Sequence, residues 1–160
     1  MNTSAELREH LVSLLNWENA HCSFDRAVAD FPVRLRGKVP NGLPYSGWQL
    51  VEHLRICQRD ILDFCRNANY VEKSWPDDYW PAAKSPPSAA AWNGSVAAFR
   101  ADLRAFVKLV RGTSVDLFAT VPSDPHKTFL REVLLLADHN AYHVGQLVYV
   151  RRLLGAWPGE

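Results

Sequence analysis

The sequence predicts an all-α protein built as a four-helix bundle, and three observations predict it. Four segments carry apolar residues at three- and four-residue steps, the spacing of one helix face. No strand-like alternation of apolar and polar residues competes with them. Proline and glycine fall between the segments, where they punctuate a chain. Four amphipathic helices bury their apolar stripes most simply against one another.

The first helix is predicted from about Ser4 to Ala29, on Leu7, Leu11, Leu14, His21, Phe24 and Val28. Residues 31–44 then form a loop with three prolines and an Asn-Gly turn signal. The second helix starts near Ser46, where Ser46 and Gln49 have the spacing of a capping box, and runs to about Asn67. Its stripe is Leu50, His53, Cys57, Ile61 and Phe64. A long connection from Asn69 to Pro87 is rich in proline and aromatic rings, among them Tyr70, Trp75, Tyr79 and Trp80. Such a length is often functional, though its rings can also simply cover the end of a bundle. The third helix follows Ser88, carries Trp92, Val96, Phe99, Leu103, Phe106 and Val110, and ends at Gly112. A linker with Pro122 and Pro125 leads to the fourth, from about Thr128 to Leu154. Gly155 is its stop, and Arg151 and Arg152 suit the negative end of its dipole.

At 160 residues the chain fits one domain, residues 1–160. A net charge of +1 gives no electrostatic case for nucleic acid or an anionic membrane as partner. No apolar run approaches the roughly 20 residues of a membrane-crossing helix. The N-terminus has no basic stretch followed by an apolar one, so no secretory signal is expected. Cys57 and Cys65 are eight residues apart in one predicted helix, roughly 12 Å of rise and too far to bridge. Free thiols suit a reducing cytoplasm. The motifs C-x-x-C, G-x-S-x-G and H-E-x-x-H and a Gly-rich phosphate loop are absent.

The chemistry lies in the histidines. His139 and His143 are one helical turn apart on the stripe Leu136, His139, His143, Leu147, Val150, Leu154. Both take positions where a bundle places leucine. Burying two imidazoles costs free energy unless each finds a hydrogen-bond partner or a metal. His53 also points inward, with apolar residues on both sides of it along its stripe. An inward pair and an inward single supply three ligands for one divalent first-row metal, with positions left open. His21 is in register with Leu14 and Val28, so it too is expected to face inward. Four readings stay open to it: a fourth ligand, a partner that orients a ligand, a general base, or a core histidine that is merely hydrogen-bonded. His10 and His126 are expected to be exposed. Asp138 should point away from the stripe, Asn140 lies near its edge, and Gln146 near the pocket rim. Glu52 diverges from His53 by about 100° and should not share the site.

Two segments carry a family resemblance: WQLVEHLRICQRDIL (residues 48–62) and ADHNAYHVGQLVYVRRLLG (residues 137–155). The chain resembles the DinB-like (DinB/YfiT) superfamily in these motifs and in the order and spacing of its helices. The resemblance implies a four-helix bundle, often dimeric. It also implies a divalent metal, commonly nickel or zinc with iron or manganese as alternatives, on His53, His139 and His143. Some relatives in that superfamily are thiol S-transferases that use a low-molecular-weight thiol. The expectation for this chain is therefore a metal-dependent transferase or hydrolase acting on a small molecule. Trp75 to Pro81 would cover the open end and hold an apolar substrate, and His21 would move a proton. Two other readings compete: a non-enzymatic module stapled by metal, and a metal-free helical dimer with buried histidines. The fourth helix is apolar nearly all round, with Val133, Leu134, Ala141, Val144 and Val148 opposite the histidines, so a homodimer is expected.

Overall fold

The structure, a computed structural model, describes residues 3–18 and 20–158. It is mostly helical. The helices are α1 (Thr3–Leu15), α2 (Phe24–Val28), α3 (Gly47–Phe64), α4 (Ala89–Arg111) and α5 (Phe129–Leu153). A 3-10 turn, Val33–Leu35, follows α2, and the strands β1 (Thr120–Val121) and β2 (Asp124–Thr128) precede α5.

The second, third and fourth predicted helices start where their hydroxyl caps stand. At α3 the capping box is complete: the Ser46 hydroxyl accepts from the Gln49 N–H at 3.2 Å, and the Gln49 side chain accepts from the Ser46 N–H at 3.1 Å. The same two side chains hold the long connection, donating to the Lys84 carbonyl at 2.5 Å and the Pro81 carbonyl at 3.2 Å. Ser88 and Thr128 cap α4 and α5 by accepting from Ala91 and Arg131. After α5 the chain turns at Gly155, whose φ of 64° is the left-handed conformation that favours glycine.

The first predicted helix is two helices. Trp17 (φ 56°) and His21 (φ 67°) adopt left-handed conformations that no α-helix continues through. Ser23 then caps α2 by accepting from the Arg26 N–H at 3.2 Å. Apolar spacing ran on across the break because Phe24 and Val28 are buried, but on a separate helix. In α1 the buried side is Leu11, Val12 and Leu15, and Leu14 is exposed. Asn19, inside the predicted helix, lies outside the described residues. The linker before α5 is a small antiparallel hairpin, pairing Thr120 with Thr128 and Val121 with Asp124.

Helix α3 packs on both α4 and α5, α1 packs on both as well, and α2 lies on α5. Two apolar clusters form the core. One gathers Phe24, Phe31, Leu50, Leu54, Trp92, Phe99 and Leu147. The other gathers Leu11, Leu15, Leu62, Phe106, Val110, Val133 and Leu136. Along α3 and α5 the stretch between the clusters is polar and buried: His53 and Gln58 on one helix, Asn140 and His143 on the other. Arg151 stands in the last turn of α5 as expected, but its side chain lies 1% exposed, donating to the Ala27, Ala29 and Ala156 carbonyls at 2.8–3.1 Å. Among the described residues no helix is long and apolar enough to cross a membrane.

Candidate metal centre

The polar stretch between the clusters brings the three predicted histidines together. His53 reaches in from α3, and His139 and His143 from successive turns of α5. His53 Nε2 is 3.1 Å from His143 Nε2 and 3.2 Å from His139 Nε2. One ring nitrogen from each of the three lies within 4.8 Å of the other two. Two nitrogens each bound at about 2.05 Å to one ion sit about 3.3 Å apart at a tetrahedral angle and about 2.9 Å apart at a right angle. The observed spacings fall between these values.

The outer nitrogens decide which tautomer each ring holds. His53 Nδ1 is 2.9 Å from the Tyr79 carbonyl, which can only accept, so Nδ1 carries the proton. His143 Nδ1 donates to the Gln146 side-chain carbonyl at 2.7 Å. His139 is set by a longer chain. The Phe99 carbonyl accepts from Gln58 Nε2 at 2.6 Å, which turns Gln58 Oε1 toward Asn140. Asn140 Nδ2 donates to that oxygen at 3.0 Å, which leaves Asn140 Oδ1 facing His139 Nδ1 at 3.5 Å. His53 and His143 therefore carry Nδ1–H, the same tautomer suits His139, and the Nε2 lone pairs of His139 and His143 both face Nε2 of His53. Nothing in that arrangement donates a proton between them. A cation at their centre removes the repulsion, and ligand histidines are commonly oriented by hydrogen bonds of this kind.

Burial keeps the rings neutral. It pushes His53 down to about 4, against the hydrogen bond to the Tyr79 carbonyl that favours the charged form. His139 is pushed down to about 4 by burial and then by the other two rings. His143 is lowered by burial as well. Neutral imidazole is the form that ligates a metal.

The long connection forms the outer wall. Trp80 stacks flat on His53, with ring centroids 3.8 Å apart at 8°. Tyr45 stacks on Trp80 in turn. The hydroxyls of Tyr70 and Tyr79 donate to Asp60 on α3 at 3.0 and 2.8 Å. Burial and the Asp60 carboxylate push both phenols up, Tyr70 to about 12, so both stay donors. Asp60 thus anchors the side chain of the residue whose carbonyl orients His53. Beside the triad lies a cavity of about 190 Å³, lined by Asp60, Ile61, Trp75 and Leu135 among others. Cys57 also lines it, with Sγ 3.5 Å from His53 Nδ1. Burial pushes that thiol up to about 12, so it is a neutral wall residue.

His21 is not brought to this centre. It is exposed, in the turn between α1 and α2, because the helix that would have carried it inward ends at Leu15. His10 and His126 are exposed, as expected, and so is Asp138. Glu52 turns to Arg55, at 2.8 and 2.9 Å. Asn140, placed at the edge of the stripe, is fully inside. Tyr79 and Trp80 belong to the segment expected to cover the open end, and Trp80 does lie on His53. Gln58 and Asp60, and the Tyr79 carbonyl as the partner of His53, were not foreseen. The one sequence signal for that segment was the density of aromatic rings in the connection.

These features define a mostly helical protein with a buried three-histidine cluster that can bind a metal ion. No family model, curated protein or solved structure matches the chain.

Proposed function

We propose that the chain is a metal-dependent enzyme of DinB-like type, a four-helix bundle holding one divalent ion on His53, His139 and His143. The observation that carries this reading is the meeting of the three rings: His53 Nε2 lies 3.1 Å from His143 Nε2 and 3.2 Å from His139 Nε2, and His53 and His143 are each fixed by a hydrogen bond at Nδ1. Imidazole donors suit nickel or zinc, with iron or manganese as alternatives. Three ligands leave positions open, the pattern of catalytic sites. A divalent ion there supplies Lewis acidity that lowers the pKa of a coordinated water or thiol. The protein's own part is to keep three rings neutral, to cover them with Trp80, and to admit a small group through the cavity. At about 190 Å³ that cavity takes a thiol-sized fragment rather than a whole drug-sized ligand. We read the reaction as thiol transfer to an electrophile, with hydrolysis as its nearest relative, in a cytoplasmic homodimer.

A second reading has its own support. The cluster bridges α3 and α5 between the two apolar clusters, so an ion there would also staple the core. Metal analysis of untagged protein should find about one divalent ion per chain. His143→Ala should abolish it, and metal retained in that variant would sink the triad. A panel of low-molecular-weight thiols with an electrophilic dye then separates the two readings. Turnover lost on chelation supports the enzyme. A large fall in melting temperature on chelation, with no turnover for any thiol, supports the staple.

A further inference from the structure

A second feature, on α4, has no part in the triad. Arg100, Arg104, Lys108 and Arg111 follow one another at steps of four, four and three residues, so they share one helix face. That face lines a groove of about 520 Å³. Phe24, Phe99, Leu103 and Val107 also line it and give it an apolar floor. Trp17, one of the residues in the left-handed conformation, is part of the wall.

The charges are unbalanced. Arg100 pairs with Asp25 at 2.6 Å, and Arg111 reaches Glu9 only at 4.0 Å. Arg104 and Lys108 have no acidic partner among the described residues. Four cations face one carboxylate in the lining, a local charge of +3 on a chain whose net charge is +1. Like charges at four-residue steps repel and weaken a helix. Cations and apolar floor together match an amphiphile with a negative head. The volume is that of a small-molecule site.

We propose that this groove binds a small organic anion, an aromatic carboxylate, phosphate or sulfonate. Its ring system lies on Trp17 and Leu103, both half-buried in the lining, and its charged group lies between Arg104 and Lys108. A polyanion surface is the alternative. The short run of cations and the apolar floor argue against it, because backbone-tracking sites use longer basic tracks.

The test uses the full chain and the dye 8-anilinonaphthalene-1-sulfonate. The expected result is saturable binding at one site per chain. It should weaken at least tenfold in Arg104→Glu/Lys108→Glu, weaken on raising salt, and be much tighter than binding of the uncharged N-phenyl-1-naphthylamine. Circular dichroism melting establishes that the variant is folded. If it is not, Arg104→Gln/Lys108→Gln takes its place, with the same expected direction. No saturable binding, equal affinity in a folded variant, or equal affinity for the uncharged dye overturns the proposal. So does a single-stranded oligonucleotide that binds through Arg104 and Lys108 while the dye does not.

Discussion

His53, His139 and His143 are each held at two points, by what meets Nδ1 and by what faces Nε2, and the two holds have separable consequences. Gln146→Leu removes the acceptor for His143 Nδ1 and leaves all three ligand side chains present. Metal affinity should fall about 10–100-fold, read by competition with a chromogenic chelator, the usual cost of losing such a partner. Unchanged affinity would show that Gln146 does not orient the ring. Protonation tests the other hold. His53 and His139 titrate near 6.5 when unfolded and at about 4 when folded. Between those values the unfolded chain binds more protons, so stability rises with pH. The contribution is full above about 6.5 and is lost as pH falls toward about 4. The melting temperature of chelator-treated protein should therefore drop by more than about 5 °C across that window. A flat profile would contradict neutral buried rings. The triad was legible because leucine positions held imidazoles. Its supports were not: Asp60 and Tyr79 act through a carbonyl in an irregular segment, where no periodicity assigns direction.

Helices announced themselves through their caps, and the failures came where a cap interrupts a stripe. Ser46, Ser88 and Thr128 each open the helix that their hydroxyls predict. Ser23 does the same for α2, but it sits inside a continuous apolar pattern, so His21 was assigned to a face that α1, ending at Leu15, does not reach. The hairpin was hidden for another reason: β1 is two residues long, and β2 contains Pro125, so neither has alternation to detect. Arg151 shows how α2 keeps its place without a longer stripe of its own. Its guanidinium, almost fully buried, donates to carbonyls at the end of α2 and just after α5. Arg151→Ala should cost on the order of 3 kcal/mol, because it leaves the buried Ala27 carbonyl and its neighbours without donors. In a chain of this size that is a fall of roughly 5–10 °C in melting temperature. Metal content should not change, since the triad lies elsewhere. Loss of metal with unchanged stability would mean that Arg151 serves the site instead of the fold.

Across the molecule the outer side of α5 carries more apolar surface than its own fold uses. Leu135, Tyr142 and Tyr149 recur at seven-residue steps and are all exposed. Between them Gly145 presents bare backbone, with no atom within 4 Å of where a Cβ would stand. We propose that a second copy covers this stripe. The spacing of residues about Gly145 would let this face complement itself. Two antiparallel copies of α5 crossing there set Asp138 of one, seven residues before the glycine, opposite Arg152 of the other, seven residues after it. The same crossing sets Tyr142 beside the other copy's Val148 and Tyr149. A two-fold interface needs this kind of matching, because one patch must complement itself. Light scattering on the eluted protein should give about twice the chain mass of 18.1 kDa. Tyr142→Glu/Tyr149→Glu should give single chains. Asp138→Arg should weaken the pair through repulsion by Arg152, and adding Arg152→Asp should restore it. A single-chain mass at micromolar concentration, or a dimer indifferent to all of these changes, would rule out α5 as the contact. His21 also lines the groove beside this stripe, with Tyr142 and Tyr149, so the histidine that the broken helix leaves outside would lie at the edge of that contact.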